Sequence, residues 1–196
     1  MESATWAAWF AATGTVLGVF GALGGLWWQQ RRQWLLHSAA MITQLLDRFD
    51  STEFMVHRAH AADAIAGHVN NERAIDLSDP LCVMPFLENV GYLTRRGALD
   101  LGMVWNKFGW VVTAYYFGLT WQGNPLAAIR EKEQDEAIWS EFEWLADRCL
   151  ALDRKRGVPV DERNFRKMRI EQVLRWEGQL NKGTCPGGDV PPRMSF

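Results

Sequence analysis

Hydrophobic and polar positions divide this chain into one long uncharged stretch and a series of helical stripes. The stretch runs from Thr5 to Trp28, TWAAWFAATGTVLGVFGALGGLWW, and has no charged residue. A helix of that length rises about 36 Å, enough to cross a hydrocarbon core of roughly 30 Å with some tilt. Tryptophans mark both ends, Trp6 and Trp9 first, then Trp27 and Trp28. Interfacial aromatic belts are placed this way. Arg31 and Arg32 follow at once, and only Glu2 precedes the stretch. The pattern predicts a transmembrane helix within residues 1–30, with the N-terminus outside and the remainder in the cytoplasm. A cleaved signal peptide fits less well, because there is no basic leading region, the apolar run is too long and no A-x-A site ends it.

From Gln29 the helical period continues without a breaker to about Phe49, with Leu35, Ser38, Ile42, Leu45 and Phe49 on one stripe. Asp50 with Glu53 resembles a capping box and opens a second helix reaching about Gly67. A polar loop follows from Asn70 to Ser78. Asp79-Pro80 predicts a helix start, with Pro85 inside as a kink or late start and Gly97 as the stop. Asp100 caps a very apolar helix holding Met103, Val104, Trp105, Phe108, Val111, Val112 and Tyr115, the expected core helix. Asn124-Pro125 starts a short helix through Ile129. Asp135 opens an amphipathic helix with Ile138, Trp139, Phe142, Leu145, Ala146, Cys149 and Leu152, closed by Gly157 and Pro159. Asp161 caps a last helix. No alternating strand pattern and no internal repeat is present, so the expected fold is all-α: residues 1–30 a transmembrane helix, 31–182 a cytoplasmic helical bundle, 183–196 a Gly- and Pro-rich tail.

Small residues form a seam on the first helix. Ala4, Ala7, Ala11, Gly14, Gly18, Gly21 and Gly25 recur at spacings of three and four. In lipid, close backbone approach along small residues is a main source of helix association, so Gly14, Gly18, Gly21 and Gly25 are the expected oligomerisation positions. The heterologous contact this implies points to a homo-oligomer larger than a dimer.

Composition adds exclusions. The net charge of −2 on 196 residues does not point to nucleic acid as a partner. Three widely spaced cysteines, Cys82, Cys149 and Cys185, without CxxC spacing, fit a reducing compartment without a disulfide framework. No HExxH, Walker, GxSxG or Rossmann pattern occurs, and no cofactor is expected. Glu53, His57, His60 and Asp63 share a helix face, which reads as a solvated, ion-paired surface rather than a metal site. The last helix carries Arg163, Arg166, Lys167, Arg169 and Arg175 interleaved with Glu171 and Glu177, again a solvated face. Arg32 and His37 have an R-x4-H spacing. A histidine as acid or base beside an arginine on phosphate charge is the logic of the HEPN ribonucleases, so these two are the candidate catalytic residues.

One block carries a family resemblance. Phe86, Glu88 and Gly91 lie in an F-L-E-x-x-G-x-L run, Arg96-Gly97 makes a turn, Asp100 opens a D-L-x-x-V-W helix, and Phe142, Glu143, Leu145 and Ala146 form F-E-x-L-A. Over about residues 80–150 the chain resembles a bacterial family of small single-pass membrane proteins with a cytoplasmic helical domain of unknown function. It departs from that family at the TWQGNP segment. The layout is more distantly similar to the membrane accessory protein of type VI-B CRISPR systems, a ring-shaped pore in phage defence with a degenerate HEPN-like domain. These resemblances imply an inner-membrane homo-oligomer acting as a pore or membrane effector in antiphage defence, with membrane lipid and a defence-system protein as partners. Two alternatives stand beside it: a tethered HEPN-like RNase using Arg32 and His37, and a tethered adaptor for a protein partner.

Overall fold

In the computed structural model the described residues are 2–70, 78–121 and 123–180; within them side chains are described from Ala22 onward, except at residues 78–81, Leu174 and residues 178–180. They form seven α-helices: α1 (Glu2–Phe49), α2 (Thr52–Val69), α3 (Ser78–Arg95), α4 (Leu101–Leu119), α5 (Pro125–Glu133), α6 (Ser140–Lys155) and α7 (Arg163–Leu180). The described residues contain no strand, so the fold is all-α. The chain divides into two compact units, Met1–Ala40 and Met41–Phe196.

The first unit is the greater part of α1. The helix runs unbroken through the uncharged stretch and past Arg31 and Arg32, as its uninterrupted period predicts. Among the described residues no helix is long and apolar enough to cross a membrane. The expected span lies mostly outside the residues whose side chains are described, and so do Gly14, Gly18 and Gly21. Gly25 is described and exposed. The tail expected from residue 183 also lies outside the described residues.

In the second unit α2 packs on α3, α4 and α7, while α6 packs on α3 and α4. The apolar α4 is its centre: Val104, Phe108, Val111, Val112, Ala114, Tyr115 and Leu119 are all fully buried. Phe49, Phe54, Phe86 and Phe108 form a ring cluster with centroids 5.1 to 6.0 Å apart. Phe142 and Leu145 of α6 complete the core. Trp105, expected inside it, is only partly buried and donates its indole N–H to Asp153.

Local signals explain most helix ends. Asp100 Oδ1 accepts from the Met103 N–H at 2.9 Å, and Asn124 Oδ1 accepts from the Ala127 N–H at 3.2 Å. At Gly157, with φ 77°, the N–H groups of Gly157 and Val158 donate to the carbonyls of Arg154 and Asp153. That is a Schellman ending, which needs the left-handed conformation glycine reaches without strain.

Four starts differ from expectation. Ser51, not Asp50, caps α2. Helix α3 already includes Ser78, Asp79 and Pro80, and continues through Pro85. Helix α6 begins at Ser140 rather than after Asp135, whose carboxylate instead takes the Ala137 N–H two residues on. The intervening Trp139 is left-handed, with φ 56°. Helix α7 begins at Arg163 rather than directly after Asp161, whose carboxylate instead accepts from the Arg154 guanidinium.

Candidate functional site

Two places concentrate unusual chemistry, one in each unit. The first is the stretch of α1 from Ala22 to Trp34, where every side chain is exposed. Leu23, Leu26, Trp27 and Trp28 are 56 to 63 % exposed. The Arg31 guanidinium lies over the Trp27 ring at 5.6 Å, and that of Arg32 over Trp28 at 5.8 Å. Both pairs are i, i+4 neighbours, so the helix itself places each cation on its ring. A helix apolar on all sides is normally enclosed by protein or by lipid.

The second is a buried charge in the bundle. Arg58 of α2 is fully buried. Its Nε and Nη2 both donate to Glu177 Oε1 of α7, at 3.2 and 2.7 Å, and its Nη1 donates to the Phe49 carbonyl at 2.8 Å. The guanidinium lies 3.5 Å from the Phe49 ring centroid and 5.6 Å from that of Trp176. Tyr115 of α4 donates its hydroxyl to the Arg58 carbonyl at 3.2 Å. Glu177 is also fully buried, and among the described residues its Oε2 has no hydrogen-bond partner. Burial outweighs the Arg58 guanidinium and pushes the Glu177 carboxyl above the usual carboxylate range. Burial likewise raises the Tyr115 phenol well above its ordinary value. The ion pair joins α2 to α7, and the Tyr115 hydroxyl joins α4 to α2. A related contact joins α4, α6 and α7, where Asp153 of α6 accepts from the Trp105 indole at 3.0 Å with Arg169 of α7 at 3.8 Å. Burial raises the Asp153 carboxyl and lowers the Arg169 guanidinium.

The residues singled out from sequence are placed as follows. Arg32 and His37 are both exposed on α1, and five residues on one helix turn them about 140° apart. Glu53, His57, His60 and Asp63 are exposed along the outer side of α2. Among the described residues no group of histidine, cysteine or carboxylate side chains could hold a metal ion. Of the basic residues on α7, Arg166 donates to the Val160 carbonyl at 2.9 Å and lies 3.5 Å from Asp161, Arg169 turns toward Asp153, and Lys167 pairs with Glu171. Sequence reasoning missed Arg58 and read Glu177 as part of a solvated face, whereas both are fully buried. Each is a charge inside an apolar stripe, Phe54–Arg58–Ala61–Ala62–Ile65 on α2 and Ile170–Val173–Glu177 on α7, and that interruption is the signal that could have found them.

The motif positions on α3 and α6 meet at one joint. Phe86, Leu87, Phe142, Leu145 and Ala146 are buried in the core. The Glu88 carboxylate accepts from the N–H groups of Glu141 and Phe142, at 3.2 and 2.7 Å, and so caps α6 from across the bundle. Gly91 lets the backbones meet: a side chain there would strike the Glu141 carbonyl. A family model described as a domain of unknown function, DUF4760, matches residues 8–149. The chain belongs to the DUF4760 family. No curated protein and no solved structure matches it. The family match takes in the Glu88–Gly91 joint, α4 and most of α1 and α6, and stops short of α7 and Glu177.

Proposed function

We propose that this protein is anchored in the bacterial inner membrane by α1, holds its helical bundle on the cytoplasmic side, and acts by self-assembly rather than by catalysis. The observation that carries the reading is the stretch of α1 with exposed Leu23, Leu26, Trp27 and Trp28, continuous with an uncharged run toward the N-terminus and closed by Arg31 and Arg32. The engagement of Arg58, Glu177, Asp153 and Glu88 in contacts between helices supports a structural bundle. The glycine seam at Gly14, Gly18, Gly21 and Gly25 supports packing of neighbouring copies in lipid. The distant resemblance in layout to the accessory protein of type VI-B CRISPR systems is what supports extending the proposal to a ring that acts on the membrane in phage defence.

Cell fractionation tests this. The full chain should sediment with membranes and resist alkaline carbonate, and a Val16→Lys, Phe20→Lys variant should lose that resistance. A wild-type chain released by carbonate contradicts the anchor. Crosslinking in mild detergent should give species larger than a dimer, lost in Gly18→Leu and kept in Leu23→Ala. A wild-type chain that stays monomeric contradicts the assembly.

A further inference from the structure

The proposed anchor says that α1 sits in a bilayer but not which lipids it meets. The charge pattern is specific on this point. Between Glu2 and Asp47 there is no acidic residue, while Arg31 and Arg32 lie inside that interval, so the segment is cationic in a chain whose net charge is −2. The two guanidiniums stand one turn beyond Trp27 and Trp28 and rest on their rings. Among the described residues neither guanidinium pairs with a carboxylate, and a guanidinium is a flat, weakly hydrated fork suited to two phosphate oxygens at once. Trp27 and Trp28 are 63 and 62 % exposed, with Leu23 and Leu26 exposed on the turns before them. Leucine toward the hydrocarbon, tryptophan at the boundary and arginine beyond it is the order of chemistries met on leaving a bilayer core.

We infer that residues 23–32 of α1 form a collar selecting anionic phospholipid headgroups, with Arg31 and Arg32 on the lipid phosphates and Trp27 and Trp28 beside them at the interface. This rests on the membrane reading above and goes further by naming the lipid class and the two residues that choose it. The helix spacing places both guanidiniums on the same flank as the two indole rings. Neutral zwitterionic headgroups carry the same phosphate without the attractive surface potential, so they compete less well.

The test is a competition. The full chain is synthesised without cells in the presence of equal amounts of two distinguishable vesicles, one of phosphatidylcholine alone and one containing about a third phosphatidylglycerol, and the vesicles are then floated and separated. The wild-type chain should favour the anionic vesicles by roughly twenty-fivefold at low salt, since each of the two basic residues near such a surface contributes about a fivefold preference. High salt during synthesis should shrink the preference, because a Debye length at 1 M is only about 3 Å. The Arg31→Gln, Arg32→Gln variant should still float and should divide evenly. Even division of the wild-type chain overturns the collar and leaves the anchor standing. A preference kept in full by the double variant also overturns it, by placing the selectivity elsewhere. A wild-type chain that floats with neither vesicle overturns the anchor and the collar together.

Discussion

The fit between α3 and α6 depends on the absence of a side chain at Gly91 and on one carboxylate. A methyl group at Gly91 meets the backbone of Glu141, which cannot swing aside as a flexible side chain would. Gly91→Ala should therefore cost about 3 kcal/mol, the upper part of the range for overpacking, measured by denaturant unfolding of the detergent-solubilised chain. Glu88→Ala removes a cap and should cost about 1 to 2 kcal/mol. Arg58 and Glu177 set a larger penalty, because removing one partner strands the other. Glu177→Ala should destabilise by about 3 to 5 kcal/mol, and Arg58→Met with Glu177→Leu by less than either single change. The same pair fixes a pH dependence. The Glu177 carboxyl is raised in the folded chain, so the folded state binds that proton more tightly than the unfolded chain. Its contribution to stability is then fullest at low pH and falls as pH rises above about 4.3, the ordinary glutamate value. Melting temperatures of wild type minus Glu177→Gln should fall across that rise, since glutamine keeps an acceptor and removes the titration. A flat difference would show that burial does not raise this carboxyl. The caps at Asp100 and Asn124 were legible because a cap is a local signal. The pair was not, because 119 residues separate its members.

At the scale of elements, periodicity located the helices well where caps or glycine stops bounded them. Helix α4 is legible from its apolar run and is the core helix that run predicts. The start of α6 was not, because Trp139 leaves the helical conformation and buries its ring, at 8 % exposure, while Glu88 of another helix supplies the cap. A cap delivered from a distant helix leaves no trace in local spacing. Leu145 shows what the element contributes to the core. It is fully buried on α6, so Leu145→Ala should cost about 2 to 5 kcal/mol, read from the shift in denaturation midpoint at constant slope. A cost below about 1 kcal/mol would mean that α6 is not packed as described. Helix α7 is held differently, by Phe165, Ile170 and Val173 together with the two buried charges, and its basic residues are largely engaged with partners within the chain.

For the whole molecule, the sequence set out an all-α chain with a distinct N-terminal helix, and the seven helices agree. The second unit takes up the chain at Met41, within α1, so one continuous helix serves both units. That join was legible as unbroken periodicity, whereas its position inside the helix was not, since no breaker marks it. The central claim is that α1 crosses a bilayer with the bundle on the cytoplasmic side. Thiol labelling of intact cells tests it most directly. Cys149 is buried and its thiol is pushed up to about 12, so it stays silent, while Cys82 on the bundle is exposed. In a chain carrying Ser3→Cys and Cys185→Ser, a membrane-impermeant maleimide should label the thiol introduced near the N-terminus in intact cells, and Cys82 only after lysis. Labelling of Cys82 in intact cells, or protection of both thiols until lysis, would contradict the account.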